Sequence, residues 1–236
     1  MKYFPLIWAT LWRKKTRTIF TLLSVVVAFL LFGMLETVDY AFAHPSNGVT
    51  GADKLITTNK YSITLSLPFS DAQEIRSVPG VAEVTWISWF GAYYQESKNF
   101  VFALPVDTDS YFNLHKGEFI VSDDQLQAYR NTRTGALVDS DLMKKFGWKV
   151  GDKVPLHSTI WTQKNGSLDW TFDIVGSFDA KDPTQASQQS STLLFHYELF
   201  DEGRSFGKGN VGWFEERVAD PAQSMAVSNR DRKSVV

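Results

Sequence analysis

Residues 18–35 form a run of eighteen without one charged side chain, and twelve of them are Leu, Ile, Val or Phe. No other feature restricts the fold as strongly. As a helix the run spans roughly 27 Å, close to the ~30 Å hydrocarbon core of a bilayer. At about −0.3 to −0.6 kcal/mol each, the twelve contribute roughly −4 to −7 kcal/mol toward insertion. Lys2, Arg13, Lys14, Lys15 and Arg17 precede the run with no acid among them, and Glu36 and Asp39 follow it. That polarity predicts a transmembrane helix over 18–35, the N-terminus in the cytoplasm and residues 40 onward outside. A cleaved signal peptide is the competing reading, with Ala41-Phe42-Ala43 as an A-x-A match. Signal peptides carry apolar cores of about 7–15 residues, shorter than this one. The match also lies well past the run, after both acids.

Residues 1–17 carry a second membrane signal. Phe4, Ile7, Trp8, Leu11 and Trp12 follow i, i+3, i+4, i+7, i+8 spacing, one face of a helix. Lys2, Thr10, Arg13 and Lys14 supply polar positions, and Pro5 suits a first helical turn. The expectation is an amphipathic helix lying in the headgroup region. Phe4, Ile7, Trp8, Leu11, Trp12, Arg13, Lys14, Lys15 and Arg17 would be its membrane-interface residues.

Charge divides along the same line. The chain has 24 Lys+Arg and 26 Asp+Glu, a net of −2. The first seventeen residues hold +5, so the remainder holds −7. Neither part has the electrostatic footprint of a nucleic-acid binder. The absence of cysteine excludes disulfides, thiolate metal sites and cysteine nucleophiles. A hydrophobic share of 44 % excludes a disordered chain.

Residues 44–228 read as an extracytoplasmic domain large enough for one core or two small lobes. Tyr61, Ile63, Leu65 and Leu67 alternate with polar residues and predict a strand ended by Pro68. Ser70-Asp71-Ala72-Gln73 has the capping-box pattern, and Pro79-Gly80 stops the helix behind it. Residues 81–94 are strand-like, a polar turn covers 96–99, and a strand covers 100–106. The first lobe therefore reads β-α-β-β. Ser122 starts a helix through Arg130, residues 136–138 form a short strand, and 140–146 form a helix capped by Gly147. Residues 154–162 and 168–178 face each other across Asn165-Gly166, with Leu168, Trp170, Phe172 and Ile174 toward the core. Residues 179–192 read as a mobile polar loop. Residues 193–200 and 211–218 read as ordered, and Asp220-Pro221 starts a last helix. The fold class is α+β: an amphipathic helix, one transmembrane helix, then a β-rich, two-lobed outer domain.

No motif assembles a catalytic site. Gly207 to Gly212 matches G-x-G-x-x-G, but a polar loop precedes it and a strand-like segment follows, the wrong context for a dinucleotide. No phosphate-binding loop, H-E-x-x-H or G-x-S-x-G occurs. His44, His115, His157 and His196 lack metal-ligand spacing and read as structural or surface residues. Asp107 with Asp109, and Asp139 with Asp141, read as helix-capping carboxylates rather than acid/base pairs. Most of the eight tryptophans read as packing residues. No enzyme activity, metal or cofactor is expected.

The order of parts resembles the N-terminal half of a MacB/FtsX-like ABC transporter permease. The stretches that carry the likeness are LWRKKTRT at 11–18, PGV at 79–81, FGWKVGDKV at 146–154 and FDIVGSF at 172–178. The resemblance implies a bacterial inner-membrane protein that does not hydrolyse ATP itself. It implies a separate cytoplasmic ABC ATPase, a second permease subunit, contact with membrane lipid and an extracytoplasmic partner protein. The outer domain would serve export, lipoprotein release or mechanotransmission. The family returns to the membrane with three more helices. The last residues, DRKSVV at 231–236, show no helix periodicity and match what a common sequencing adapter encodes. They are read as a non-native tail on a truncated chain, with native sequence ending near Asn229 or Arg230. The alternative function is a membrane-anchored extracytoplasmic sensor or ligand-binding domain, which shares the span but leaves the amphipathic helix unexplained.

Overall fold

The computed structural model describes residues 14–43, 53–62, 64–181, 191–224 and 226–228. The chain divides into two units, Met1–Val49 and Thr50–Val236. The first contains one helix, α1 (Lys15–Ala43). It continues through Glu36 and Asp39, beyond the apolar run, because charged side chains do not interrupt helical hydrogen bonding. Along α1, Thr18, Thr21, Ser24 and Thr37 donate their hydroxyls to carbonyls three or four residues back. Such bonds leave no side-chain donor stranded in an apolar setting.

The second unit is built around a closed barrel. Its six strands are β4 (Ala92–Tyr93), β5 (Phe100–Val106), β7 (Gly135–Asp139), β8 (Lys153–Ser158), β9 (Asp169–Ala180) and β10 (Thr192–His196). They run in the order β5-β10-β7-β9-β8-β4, and β4 pairs β5 to close the ring. β5 and β10 are parallel, as are β7 and β9. Of these, β5, β7 and β10 are covered on both faces and read as near-continuous apolar runs, while β9 alternates. Thus Val101, Ala103, Ala136, Val138, Leu193 and Phe195 fill one core. Their neighbours Leu104, Leu137 and Leu194 fill a second, beneath α3 (Ser110–Leu114) and α4 (Asp123–Asn131).

A smaller sheet extends from β5. β3 (Val81–Ile87) joins it through the single pair Ile87↔Val106, β12 (Trp213–Val218) pairs β3, and β1 (Lys54–Thr57) forms the far edge. α2 (Asp71–Ser77) packs on it through Ala72 and Ile75. A β-α-β-β lobe is therefore present, with β1 in place of the expected 61–67 as its first strand, and β5 belongs to both lobes.

Helix ends follow the sequence closely. Ser122 accepts from Gln125 N–H at the start of α4. Asp139 accepts from the Asp141 and Leu142 amides and starts α5 (Ser140–Phe146). Gly147 ends α5 at φ 68°, a conformation glycine adopts without a Cβ penalty.

Several expectations need correction. The described residues among 61–66 are not in a strand; β2 (Leu67–Pro68) is, paired with β11 (Asn210–Val211). Local bonds win there: Asn59 accepts from the Tyr61 amide, and Ser62 accepts from the Thr64 amide. Such side-chain contacts offer the backbone an alternative to a ladder. Ser70 makes no capping bond, because its own backbone is already helical and its hydroxyl turns to Asp71. The 81–94 stretch breaks at residues 88–91 into β3 and β4. The hairpin across Asn165-Gly166 is wider than expected, since β8 ends at Ser158. Of the 179–192 loop, residues 179–180 extend β9 and Thr192 opens β10, while 182–190 lie outside the described residues. Asp220 caps a 3-10 turn, Pro221–Gln223, and the described residues that follow, 224 and 226–228, are α-helical as expected. Residues 193–200 divide into β10 and the start of α6 (Tyr197–Gly203).

Candidate functional site

The membrane-directed residues come first. Phe4, Ile7, Trp8, Leu11, Trp12 and Arg13 lie outside the described residues. Lys14 precedes α1, and Lys15 and Arg17 occupy its first turn, all exposed. Cations there oppose the helix macrodipole, whose positive end is the N-terminus, at roughly 0.3–1 kcal/mol each. Helix stability therefore does not explain them. Between the flanks, every large apolar side chain from Ile19 to Leu35 is at least 45 % exposed. Its described stretch Lys15–Thr37 is long and apolar enough to cross a membrane.

In the outer unit, the residues with unusual electrostatics meet where the chain's first and last long-range strands pair. β1 and β12 are antiparallel, with Lys54↔Arg217 and Thr57↔Phe214 as the ends of the register. Asp53 C=O accepts from the Val218 amide and extends the pairing. The chain thus enters and leaves the outer unit side by side.

Beside this junction lies a buried ionic cluster drawn from three segments. Lys54 comes from β1, Glu215 from β12, and His115 with Glu118 from the turn between α3 and β6 (Phe119–Ile120). Lys54 donates to Glu118 Oε1. His115 Nδ1 is 2.8 Å from Glu118 Oε2, and Nε2 is 2.8 Å from Glu215 Oε2. The Trp213 indole donates to Glu215 Oε1 at 3.1 Å. The Lys54 side chain is 3 % exposed and that of His115 10 %. The Tyr111 ring packs on the imidazole, centroids 4.4 Å apart. Burial raises the Tyr111 pKa, and Glu215 and Glu118 add to the rise, so the phenol stays neutral. Burial acts to raise the Glu118 pKa too, but hydrogen bonds from His115 and Lys54 outweigh it and hold the carboxyl at about 2.

Sequence reading placed His115 among structural or surface histidines and did not single out Lys54, Glu118 or Glu215. Their partners lie 61 to 100 positions apart. The one local signal is the His115/Glu118 spacing of three.

The other candidates resolve as structural. His196 Nε2–H donates to the Tyr129 carbonyl and Nδ1 accepts from Thr108, which suits a neutral ring. Burial lowers its pKa accordingly. His157 pairs with Asp169 at the surface, and His44 lies outside the described residues. Asp107 accepts from the Ser110 amide, Asp109 faces Arg130, and Asp141 faces Lys144. The G-x-G-x-x-G segment is a pinned loop: Asp201 accepts from the Gly209 amide and Arg204 donates to the Asn210 carbonyl. Among the described residues no group of three or more His, Asp or Glu is arranged to hold a metal ion. Around His115 both ring nitrogens and all four carboxylate oxygens already have partners.

The family described as MacB-like periplasmic core domain matches residues 19–231. No curated protein matches the chain. Among solved structures, the periplasmic region of MacB from Actinobacillus actinomycetemcomitans gives a TM-score of 0.53 at 14 % identity. That match covers 78 % of this chain and 82 % of the other. The extracellular domain of the noncanonic ABC-type transporter YknZ from Gram-positive bacteria gives 0.51 at 13 % identity, covering 77 % and 90 %. At such identities the likeness is one of fold. The family match spans the apolar helix and nearly all of the outer unit, and by it the chain belongs to the MacB-like periplasmic core domain family.

Proposed function

We propose that this chain is the N-terminal portion of an ABC transporter permease in a bacterial inner membrane. It couples a separate cytoplasmic ATPase to the outer domain. The observation that carries the reading is the β1–β12 pairing, which brings the start and end of the outer unit to one place. A domain held at both ends by a membrane needs that arrangement, and a force applied at the junction reaches the barrel through β3 and β5. The absence of a phosphate-binding loop fits an ATPase on another chain. The cations before α1 and the acids after the run fit a cytoplasmic N-terminus and a periplasmic main domain. Phe4, Ile7, Trp8, Leu11 and Trp12 would lie at the cytoplasmic interface, with Arg13, Lys14, Lys15 and Arg17 meeting headgroups. A second permease subunit and an extracytoplasmic protein complete the set of partners.

The chain has no cysteine, so a single Lys208→Cys substitution in an exposed loop reports topology cleanly. A membrane-impermeant maleimide should label it in intact spheroplasts, and tagged protein from the native bacterium should carry an ABC ATPase through purification. Labelling only after lysis, or capture of a signalling kinase in place of an ATPase, would sink the proposal.

A further inference from the structure

We infer that His115 is a protonation-controlled clasp, holding β1 and the 115–118 turn against β12 when charged and loosening both when it loses its proton.

The cluster works as a closed set of donors and acceptors only with an imidazolium. Carboxylates accept and do not donate. Glu118 Oε2 and Glu215 Oε2 stand 2.8 Å from opposite ring nitrogens, so each requires an N–H. The remaining oxygens are served by Lys54 and Trp213. Two cations then balance two anions and every carboxylate oxygen has a donor, at the cost of holding the Lys54 ammonium 3.1 Å from a protonated Nδ1.

Removing the proton changes this in a defined way. The Nδ1 lone pair can accept from Lys54, whose Nζ is 3.1 Å away. Nε2–H can still serve Glu215. Glu118 Oε2 then faces a lone pair in place of a donor, and the buried cluster carries one uncompensated negative charge. The contact that ties the turn to β12 falls from an ion pair to a hydrogen bond from a neutral ring, and Glu118, no longer held by the imidazole, is left to Lys54 alone, so the turn loses hold and weakens its anchorage of β1. β1 has four residues and lies at the sheet edge, where its ladder to β12 and the Thr57 hydroxyl's bond to Glu216 retain it on one side only.

The titratable groups around the ring are Lys54 on β1, Glu215 on β12, Glu118 on the following turn and Tyr111, neutral, on α3. Further along the same face of β12, Arg217 meets Asp53 and Glu83. Burial alone would lower the His115 pKa and Lys54 would lower it further. The hydrogen bonds to Glu118 and Glu215 outweigh both and raise it above the usual 6.5. A histidine raised on folding stabilises the folded state below its unfolded pKa, and that contribution is lost as pH rises through the folded value. His196 cannot supply the same response, since its pKa is lowered. The inference concerns the outer unit alone and stands whether or not an ATPase drives it.

The test uses the full chain in detergent micelles. Amide exchange in residues 53–57 and 115–120, corrected for intrinsic rates, is compared between about pH 6 and pH 8.5 with that of β9. Losing a hydrogen bond to a charged group corresponds to roughly tenfold or more. Exchange in those two segments should rise by about that factor at the higher pH while β9 stays constant. His115→Gln should remove the pH dependence, and His157→Gln should keep it. Should His115→Gln fail to fold, ¹⁵N-histidine spectra of the unaltered protein decide the matter. Both His115 ring nitrogens protonated at pH 6.5 is the expected result. A neutral tautomer at that pH, or pH-independent exchange in both segments, would overturn the inference.

Discussion

Phe90→Ala should lower the stability of the outer unit by about 3–5 kcal/mol, the range for deleting a buried phenylalanine. Phe90 is fully buried on the bend between β3 and β4. Its ring meets Trp170, Phe172, Phe195 and Phe200 edge-on, at centroid distances of 5.4, 6.1, 5.1 and 5.9 Å. These partners come from β9, β10 and α6, so one ring ties the small sheet's connection to the barrel's interior. Removing it leaves a cavity that four rigid aromatic rings cannot collapse to fill. Edge-to-face pairs add about 0.5–1.5 kcal/mol each beyond area burial. Urea unfolding followed by tryptophan fluorescence should show a lower midpoint at an unchanged slope. Val150→Ala, at a residue 55 % exposed, should stay within about 0.5 kcal/mol. Equal midpoints for the two variants would contradict the assignment of Phe90 to the core.

Lys54→Met should cost about 3 kcal/mol, the lower end for breaking a buried ion pair, because Glu118 keeps 26 % of its side chain exposed. The substitution preserves the apolar stem and removes only the charge. Most of the loss comes from leaving two carboxylates with one cation. Glu118 supplies the pH signature. Its carboxyl is held at about 2 against an ordinary 4.5. A depressed carboxylate contributes stability above its unfolded pKa, and that contribution fades as pH falls toward the folded value. The unaltered protein should therefore lose stability between about pH 4.5 and 2 at this site, and Lys54→Met should lose less there. In a Glu118→Gln background, Lys54→Met should cost measurably less than on its own. Additive losses would place Lys54 outside the cluster.

Local chemistry made much of this fold readable. The apolar run between cations and acids announced α1. Asp139 and Gly147 marked both ends of α5, since capping is decided by a few adjacent residues. Strand β5 was legible because an unbroken apolar stretch suits burial on both faces. What escaped was decided at long range. Barrel closure depends on two-residue pairings of β4 with β5 and β8, too short to leave a pattern. β1 carries one lysine and three ordinary strand residues, and its partner is more than 150 positions away. At 61–66 the alternation was real, yet Asn59 and Ser62 capture the amides first. The His115 cluster was illegible for the same reason as β1: its members meet only after β12 returns to the start of the domain.

Coupling requires that the nucleotide state of a cytoplasmic ATPase be felt at the junction of β1 and β12. The direct measurement is amide exchange on the protein purified with its ATPase in nanodiscs, with a non-hydrolysable ATP analogue and with ADP. Residues 53–57 and the Trp213–Val218 strand should exchange at different rates in the two states, while the barrel strand Asp169–Ala180 serves as the unchanged reference. Identical exchange at the junction in both states, with the ATPase bound, would contradict the coupling role.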